Sequence, residues 1–170
     1  LNPGRDVKLA EDRVKGYKSF TNKIWNAANF LNINHVTFID SLDNNKISLD
    51  TSKWILKEYE NVQAEYFKNI EKYQFHEIAS LIYHFTWHTF CDWYIEFIKS
   101  DFANDEKSEE TKKVSGWIFI QILKLLHPIM PFITEKLWLS LVDSQSFLMS
   151  QNFTKISFDN SFNDSNKYTK

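Results

Sequence analysis

The chain has 170 residues, a formal net charge of −2 at pH 7, 43% hydrophobic residues and 16% aromatic residues. This length suffices for one domain with a real core, and the charge excludes a simple polycationic nucleic-acid binder. Only three glycines and three prolines interrupt the chain, which favours long helices over many short strands. No apolar run approaches the roughly 18 residues of a membrane span, so we expect no contact with a membrane.

The first predicted helix follows a short connector. Residues 1–10 hold the turn formers Asn2-Pro3-Gly4, and we interpret them as a link from an upstream domain. Apolar residues at three- and four-residue steps then predict a helix from about Glu11 to Leu31. Its core stripe would consist of Tyr17, Phe20, Ile24, Ala28 and Leu31.

A second helix is predicted after a polar, irregular stretch. Asp50 is a plausible N-cap for a helix from about Thr51 to Lys72. The inward-facing residues expected from the helical period are Ile55, Tyr59, Val62, Tyr66 and either Ile70 or Tyr73.

Three more helical stretches complete the predicted fold. The third covers about Phe75 to Lys99 and is apolar all round, which predicts the most enclosed helix of the domain. After the acidic loop 101–107, Ser108 would cap a fourth helix that ends near Leu126. Pro131 starts a fifth that runs through about Leu141. We predict an all-α, antiparallel bundle of four to five helices over residues 11–143, with 144–170 as a linker or C-terminal extension.

The segment HFTWHTFCDW raises the possibility of a metal site. On an α-helix His84, His88, Cys91 and Asp92 would lie within roughly a third of the circumference. One helix supplies only part of a tetrahedral site, however, and the other histidines stand singly in separate segments. We therefore expect no bound metal, and a metal-binding bundle remains a minor alternative.

A catalytic role is also not indicated by the residues. Cys91 would be a poor nucleophile, because the neighbouring charge of Asp92 raises the pKa of a thiol. The chain contains no glycine-rich phosphate loop. We expect no catalytic residue and no cofactor in these 170 residues, and the single cysteine fits a reducing cytosol.

Separated stretches resemble one family in the correct order. They are GRDVKL at 4–9 with NKIWNAANFL at 22–31, FCDWYIE at 90–96, and LLHPIMPFITEKLW at 125–138. Together they resemble the anticodon-binding helical domain of valyl-tRNA synthetase. The resemblance implies a fragment without the upstream catalytic domain, which in the parent enzyme uses ATP to attach valine to tRNA. It also implies a cytoplasmic, monomeric protein.

The same resemblance implies a set of residues that bind the anticodon loop. It assigns contacts to Lys23, Phe30 and Ile95, places Glu96 beside them, and adds Arg13 and Asn26. Helical geometry gives separate support, since a lysine and an aromatic aligned off the core stripe suit a phosphate and a stacked base. Ile95 would share a helix face with His84, His88 and Cys91, which would line or underlie an RNA-facing groove.

Two positions depart from the family pattern. Asn29 stands where many members have arginine, and Asp12 stands where some have a basic residue, although Arg13 is adjacent. The implied partner is the anticodon stem-loop of valine tRNA, whose anticodons end in A and C. The main alternative is a non-enzymatic helical bundle that docks a protein partner through its aromatic surface and shows no preference among tRNAs.

Overall fold

The computed structural model describes residues 11–43, 46–142 and 146–153, without the side chains of 11–14. The predicted connector 1–10 and most of the predicted extension lie outside this part. Helices account for most of the described residues, which contain no strand. In chain order they are α1 (Glu11–Ile33), α2 (Asp50–Glu71), α3 (Phe75–His84), a π-helical segment (Phe85–Tyr94), α4 (Ile95–Ile98), α5 (Asp105–Leu126) and α6 (Pro131–Leu141), with 3₁₀ turns at Asp101–Ala103 and Leu148–Ser150.

The helices form a bundle in which consecutive rods run in opposite directions. The α3, π-helical and α4 segments follow one another without a break and form one rod. Along this rod Phe85 meets Tyr59 and Phe97 meets Trp54, so α2 runs antiparallel to it. The all-α antiparallel bundle predicted from the sequence is confirmed.

Helix α5 is the most enclosed of the described helices. Every side chain from Val114 to Leu126 is buried, because α2, the α3–α4 rod, α1 and α6 all contact it. The prediction that the third helix would hold this position is wrong. Its apolar residues do occur all round, but Tyr83 and Trp93 are exposed at the surface of the bundle.

The irregular stretch after α1 is a packed part of the core. Val36 is buried, and the ring of Phe38 meets that of Phe119 at 6.2 Å. Asp40 accepts a hydrogen bond from Lys124, whose ammonium is buried, at 2.5 Å. A buried cation needs such a partner, since an uncompensated charge in the core is strongly unfavourable.

Most predicted core positions are buried. The exceptions are Tyr17 and the choice of Ile70 or Tyr73, since all three side chains are exposed. Asn69, next to Ile70, is buried instead, and Ala27 is buried beside the predicted Ala28. At the end of α2 the reason is local, because Tyr73 has a positive φ of 57° that turns the chain and directs its side chain away from the core stripe.

The helix starts differ from the predicted caps. Asn104, not Ser108, caps α5, and its side-chain oxygen accepts a hydrogen bond from the backbone nitrogen of Glu106 at 3.0 Å. Asp50 is the first residue of α2 rather than its cap. Helix α2 is capped from a distance, because the Glu110 carboxylate accepts hydrogen bonds from the backbone nitrogens of Ser48 and Leu49, each at 2.9 Å.

The described residues 146–153 lie against α6 at their start and against α5 and α2 at their end, where Asn152 accepts a hydrogen bond from Lys124 and Phe153 meets Tyr66. The Trp138 indole donates to the carbonyl oxygen of Ser146 at 2.8 Å, and Glu135 accepts from the backbone nitrogen of Leu148 at 2.9 Å. Leu148 is buried. Part of the predicted extension therefore packs on the bundle, while the predicted boundary between domain and extension stays a prediction.

Candidate nucleic-acid interface

Aromatic packing brings α1 against the α3–α4 rod. The buried ring of Phe20 lies 4.8 Å from that of Tyr83 and stacks on that of Trp87 at 6.1 Å with an interplanar angle of 13°. These contacts place the next turn of α1, which carries Lys23, opposite the π-helical segment. Of the predicted site residues, Lys23 lies in the surface formed by α1 and this segment.

Lys23 is held in this surface by two groups of the rod, Asp92 and Trp87. Its ammonium forms an ion pair with Asp92 and lies 4.8 Å from the centre of the Trp87 ring. The second carboxylate oxygen of Asp92 lies 3.2 Å from Nδ1 of His88. Partial burial alone would raise the pKa of Asp92, but Lys23 and His88 lower it below its ordinary value. The lysine is thus a fixed cation rather than a freely moving one.

The π-helical winding separates four residues that an α-helical period would place on one face. His84 and His88 are exposed and their rings stack at 5.5 Å, whereas Cys91 and Ile95 are buried, Ile95 with only 7% of its surface exposed. Because i→i+5 hydrogen bonds wind the chain more slowly than i→i+4 bonds, residues seven apart, such as His84 and Cys91, no longer share a face, whereas His84 and His88 still do. The prediction of one common face for these four residues is wrong. The RNA contact assigned to Ile95 stays a prediction.

Phe30 lies near the end of α1, about two turns beyond Lys23. Its side chain is half-buried, and its ring meets that of Phe102 at 5.8 Å. Only part of the ring is therefore available to a base, and packing at the end of the bundle is a second role of this side chain. The RNA contact of Phe30 stays a prediction.

The remaining predicted site residues are dispersed around this surface. Asn26 and Asn29 are exposed on α1. Glu96 is exposed on α4 and pairs with Lys99 at 2.6 Å, so its carboxylate is partly neutralised. Asp12 and Arg13 belong to the first turn of α1, and their side chains lie outside the described part of the structure.

The histidine and cysteine side chains do not form a ligand set. Burial raises the pKa of the Cys91 thiol to about 12, with Lys23 opposing and Asp92 assisting this rise. The thiol is therefore protonated at neutral pH, unlike a metal ligand. In the described ranges no three histidine, cysteine or acidic side chains are grouped as a metal would require.

Sequence reasoning missed the roles of Trp87 and Asp92. Asp92 had been considered only as a metal ligand and as a neighbour of Cys91, and its partner lies 69 residues away in the sequence. A lysine aligned with a predicted RNA face is compatible with an acidic partner, but no local sequence pattern identifies which acid it contacts.

Comparisons with known proteins agree with the resemblance seen in the sequence. A family model described as the anticodon-binding domain of tRNA ligase matches residues 52–169, from the start of α2 onward. A valine–tRNA ligase of Pelagibacter ubique is 48% identical over 141 residues, which is 82% of the chain and 16% of the relative. One of Zymomonas mobilis is 43% identical over 145 residues, again 82% of the chain and 16% of the relative.

A longer match is found in Syntrophotalea carbinolica. Its valine–tRNA ligase is 42% identical over 161 residues, which is 91% of the chain and 18% of the relative. The chain thus spans less than a fifth of the length of these curated relatives. Within the described ranges, no helix has the length and apolar character that a bilayer crossing requires.

Proposed function

Since the chain belongs to the family of anticodon-binding domains of tRNA ligases, we propose that it recognises the anticodon stem-loop of valine tRNA as the tRNA-binding module of a valine–tRNA ligase. The identities of 42–48% to valine–tRNA ligases support the choice of valine. We locate the RNA-binding site by the ammonium of Lys23, which is fixed between α1 and the π-helical segment.

This surface offers the groups that an RNA loop requires. Lys23 supplies a positive charge for a backbone phosphate, and such contacts position the RNA without reading its sequence. Exposed amides at Asn26 and Asn29 are suited to hydrogen bonds with base edges. The available part of the Phe30 ring provides a surface on which an unstacked base can stack.

The activity of the whole enzyme is part of the proposal. The parent chain would attach valine to tRNA with ATP bound in its catalytic domain, outside these 170 residues. We propose that this domain itself holds no cofactor, and that the parent is a cytoplasmic monomer.

Two substitutions test the assignment of the surface. Lys23→Ala should weaken binding to valine and other tRNA anticodon stem-loops alike, and should flatten the dependence of log affinity on log salt concentration by up to about one. Phe30→Ala should leave that slope nearly unchanged and reduce the preference for a loop whose anticodon ends in AC. Phe30→Leu is the matched variant that keeps apolar contact with Phe102 but removes the aromatic face.

The binding measurements can be compared only if the variants are folded, which circular dichroism verifies. If a folded Phe30→Leu protein binds and discriminates like the wild type, base stacking at this position is contradicted. If Lys23→Ala leaves both affinity and salt slope unchanged, the surface between α1 and the rod is not the RNA face.

Exposed apolar side chains away from this surface favour a second candidate function, docking of another protein or domain. Phe132 is 91% exposed at the start of α6, and Tyr73 and Phe75 are exposed after α2. A protein partner bound through them would not discriminate among tRNAs. Equal binding of matched and swapped anticodon loops would favour this candidate over RNA recognition.

A further inference from the structure

The ion pair between Lys23 and Asp92 differs from three other lysine pairs of the described structure. Lys57, Lys68 and Lys99 each pair with a glutamate three residues away in the sequence. Such local pairs do not connect separate elements of the bundle. The Lys23–Asp92 pair instead joins α1 to the π-helical segment, with side-chain exposures of 30% and 36%.

Asp92 has the position of a charge-offsetting group. It contacts Lys23 with one oxygen and His88 with the other, while the indole of Trp87 lies under the ammonium. A carboxylate in contact with the ammonium cancels much of the field that the lysine would present to a distant phosphate. A phosphate that approaches Lys23 also approaches a negative charge.

We propose that Asp92 is a positioning residue of the RNA interface, which fixes the Lys23 ammonium and offsets its charge so that RNA backbones in general are attracted less strongly. The proposal rests on the proposed function, in which Lys23 contacts the RNA backbone. A sequence-blind attraction contributes the same free energy to every RNA, so Asp92 lowers the affinity for all loops by the same factor and leaves their ratio unchanged. A cognate loop that also places bases on Asn26, Asn29 and Phe30 is bound through contacts that Asp92 does not weaken.

The test replaces the carboxylate of Asp92 by a neutral group of the same shape in the 170-residue chain. Asp92→Asn should bind matched and swapped anticodon stem-loops several-fold more tightly at low salt. The plot of log affinity against log salt should become steeper by up to about 0.7, the value for one phosphate contact to a single strand. The ratio of affinities for the two loops should stay the same, because both loops gain the same attraction to the released ammonium.

Three further variants isolate the cause. Glu109→Gln makes the same change of net charge at an exposed residue of α5 that pairs only locally with Lys113, and it should leave slope and ratio unchanged. Asp92→Glu retains the charge and should behave like the wild type. In a Lys23→Met background, Asp92→Asn should no longer steepen the slope, because the cation it releases is absent.

Asp92→Ser is measured in parallel, and the test uses whichever neutral variant keeps the wild-type circular dichroism and melting curve. A folded neutral variant with the wild-type affinity and salt slope overturns the proposal, as does an equal steepening with Glu109→Gln. If the wild type itself does not discriminate between the loops, the proposed function fails. If the wild type discriminates and the neutral variant keeps the wild-type affinity and slope, only the role of Asp92 fails.

Discussion

The backbone of Gly116 lies against the carbonyl oxygen of Thr37, with no room for a side chain between them. A Cβ atom placed on Gly116 would be 2.1 Å from that oxygen and 2.9 Å from Cγ1 of Val36. This close approach fixes the irregular stretch after α1 against α5. It also brings Asp40 within hydrogen-bond reach of Trp117 and Lys124.

Gly116→Ala should therefore destabilise the domain by about 1–3 kcal/mol. Alanine favours a helix over glycine by roughly 1 kcal/mol, but the clash is with backbone atoms, which cannot move aside as a flexible side chain can, so overpacking outweighs this gain. Urea denaturation measures the change. Gly16→Ala is the matched control, because Gly16 is exposed in α1 with open space around it, and it should stabilise by about 0.5–1 kcal/mol. Equal stability of the two variants would contradict the described contact.

Glu110 should stabilise the start of α2 although it belongs to α5. Glu110→Gln should lower the free energy of unfolding by about 1–2 kcal/mol. Hydrogen bonds to a charged group contribute somewhat more when they are buried, but the carboxylate of Glu110 is partly solvated. The neighbouring Glu109→Gln should leave the denaturation midpoint unchanged, because Glu109 is an exposed partner of Lys113.

The contribution of Glu110 should also depend on pH. Burial raises the pKa of its carboxyl, but hydrogen bonds from Ser48 and Leu49 outweigh burial and lower it below the ordinary 4.5. A lowered pKa in the folded state gives stability that is present above 4.5 and is lost as the pH falls through the folded value. The wild type should thus lose its advantage over Glu110→Gln on acidification below that pH. A difference between the two proteins that is constant down to full acid unfolding would contradict this.

Tyr73 should tolerate replacement by glycine with a gain in stability. The end of α2 has the hydrogen bonds of a Schellman motif, from Gln74 to Asn69 and from Tyr73 to Ile70, each at 2.9 Å. Its left-handed position, with φ 57°, is occupied by an 80% exposed tyrosine. Tyr73→Gly should raise the free energy of unfolding by about 0.5–1 kcal/mol. This is the relief of the left-handed strain minus the larger conformational entropy that glycine loses on folding. Lys72→Gly, at a residue with negative φ, should destabilise, and thermal melting distinguishes the two.

Cys91 should be inert in the native protein. With a thiol pKa of about 12, the thiolate needed for disulfide exchange is scarce at pH 7–9, and the side chain is buried. Reaction with a chromogenic disulfide should therefore follow unfolding and become fast only in denaturant. Rapid stoichiometric labelling of the native protein would show that the π-helical segment opens readily.

The helices were predictable because each has an uninterrupted apolar period. Phe20, Ile24 and Leu31 are buried as the 3.6-residue repeat requires. The repeat failed where the backbone departs from an α-helix, at the left-handed Tyr73 and in the segment Phe85–Tyr94, for which we find no local sequence signal. It also failed for Tyr17, which is exposed because no element in the described part of the chain covers that turn of α1.

The candidate site was predictable only in part. Helical geometry and family resemblance both selected Lys23, and the structure places it between two helices. The partners that fix it depend on tertiary packing, since Trp87 and Asp92 belong to a distant segment. The burial of Ile95 depends on the π-helical winding, which an assumed α-helical period could not reveal.

The most direct test of the account is the ratio of dissociation constants of the wild-type protein for two anticodon stem-loops. One loop has an anticodon that ends in AC, and the other has these two bases swapped with no other change. Both are titrated at the same salt concentration, because phosphate contacts make affinity depend strongly on salt. The account predicts at least about tenfold tighter binding of the first loop, corresponding to roughly 1.4 kcal/mol from contacts to the bases. Equal dissociation constants for the two loops would contradict it.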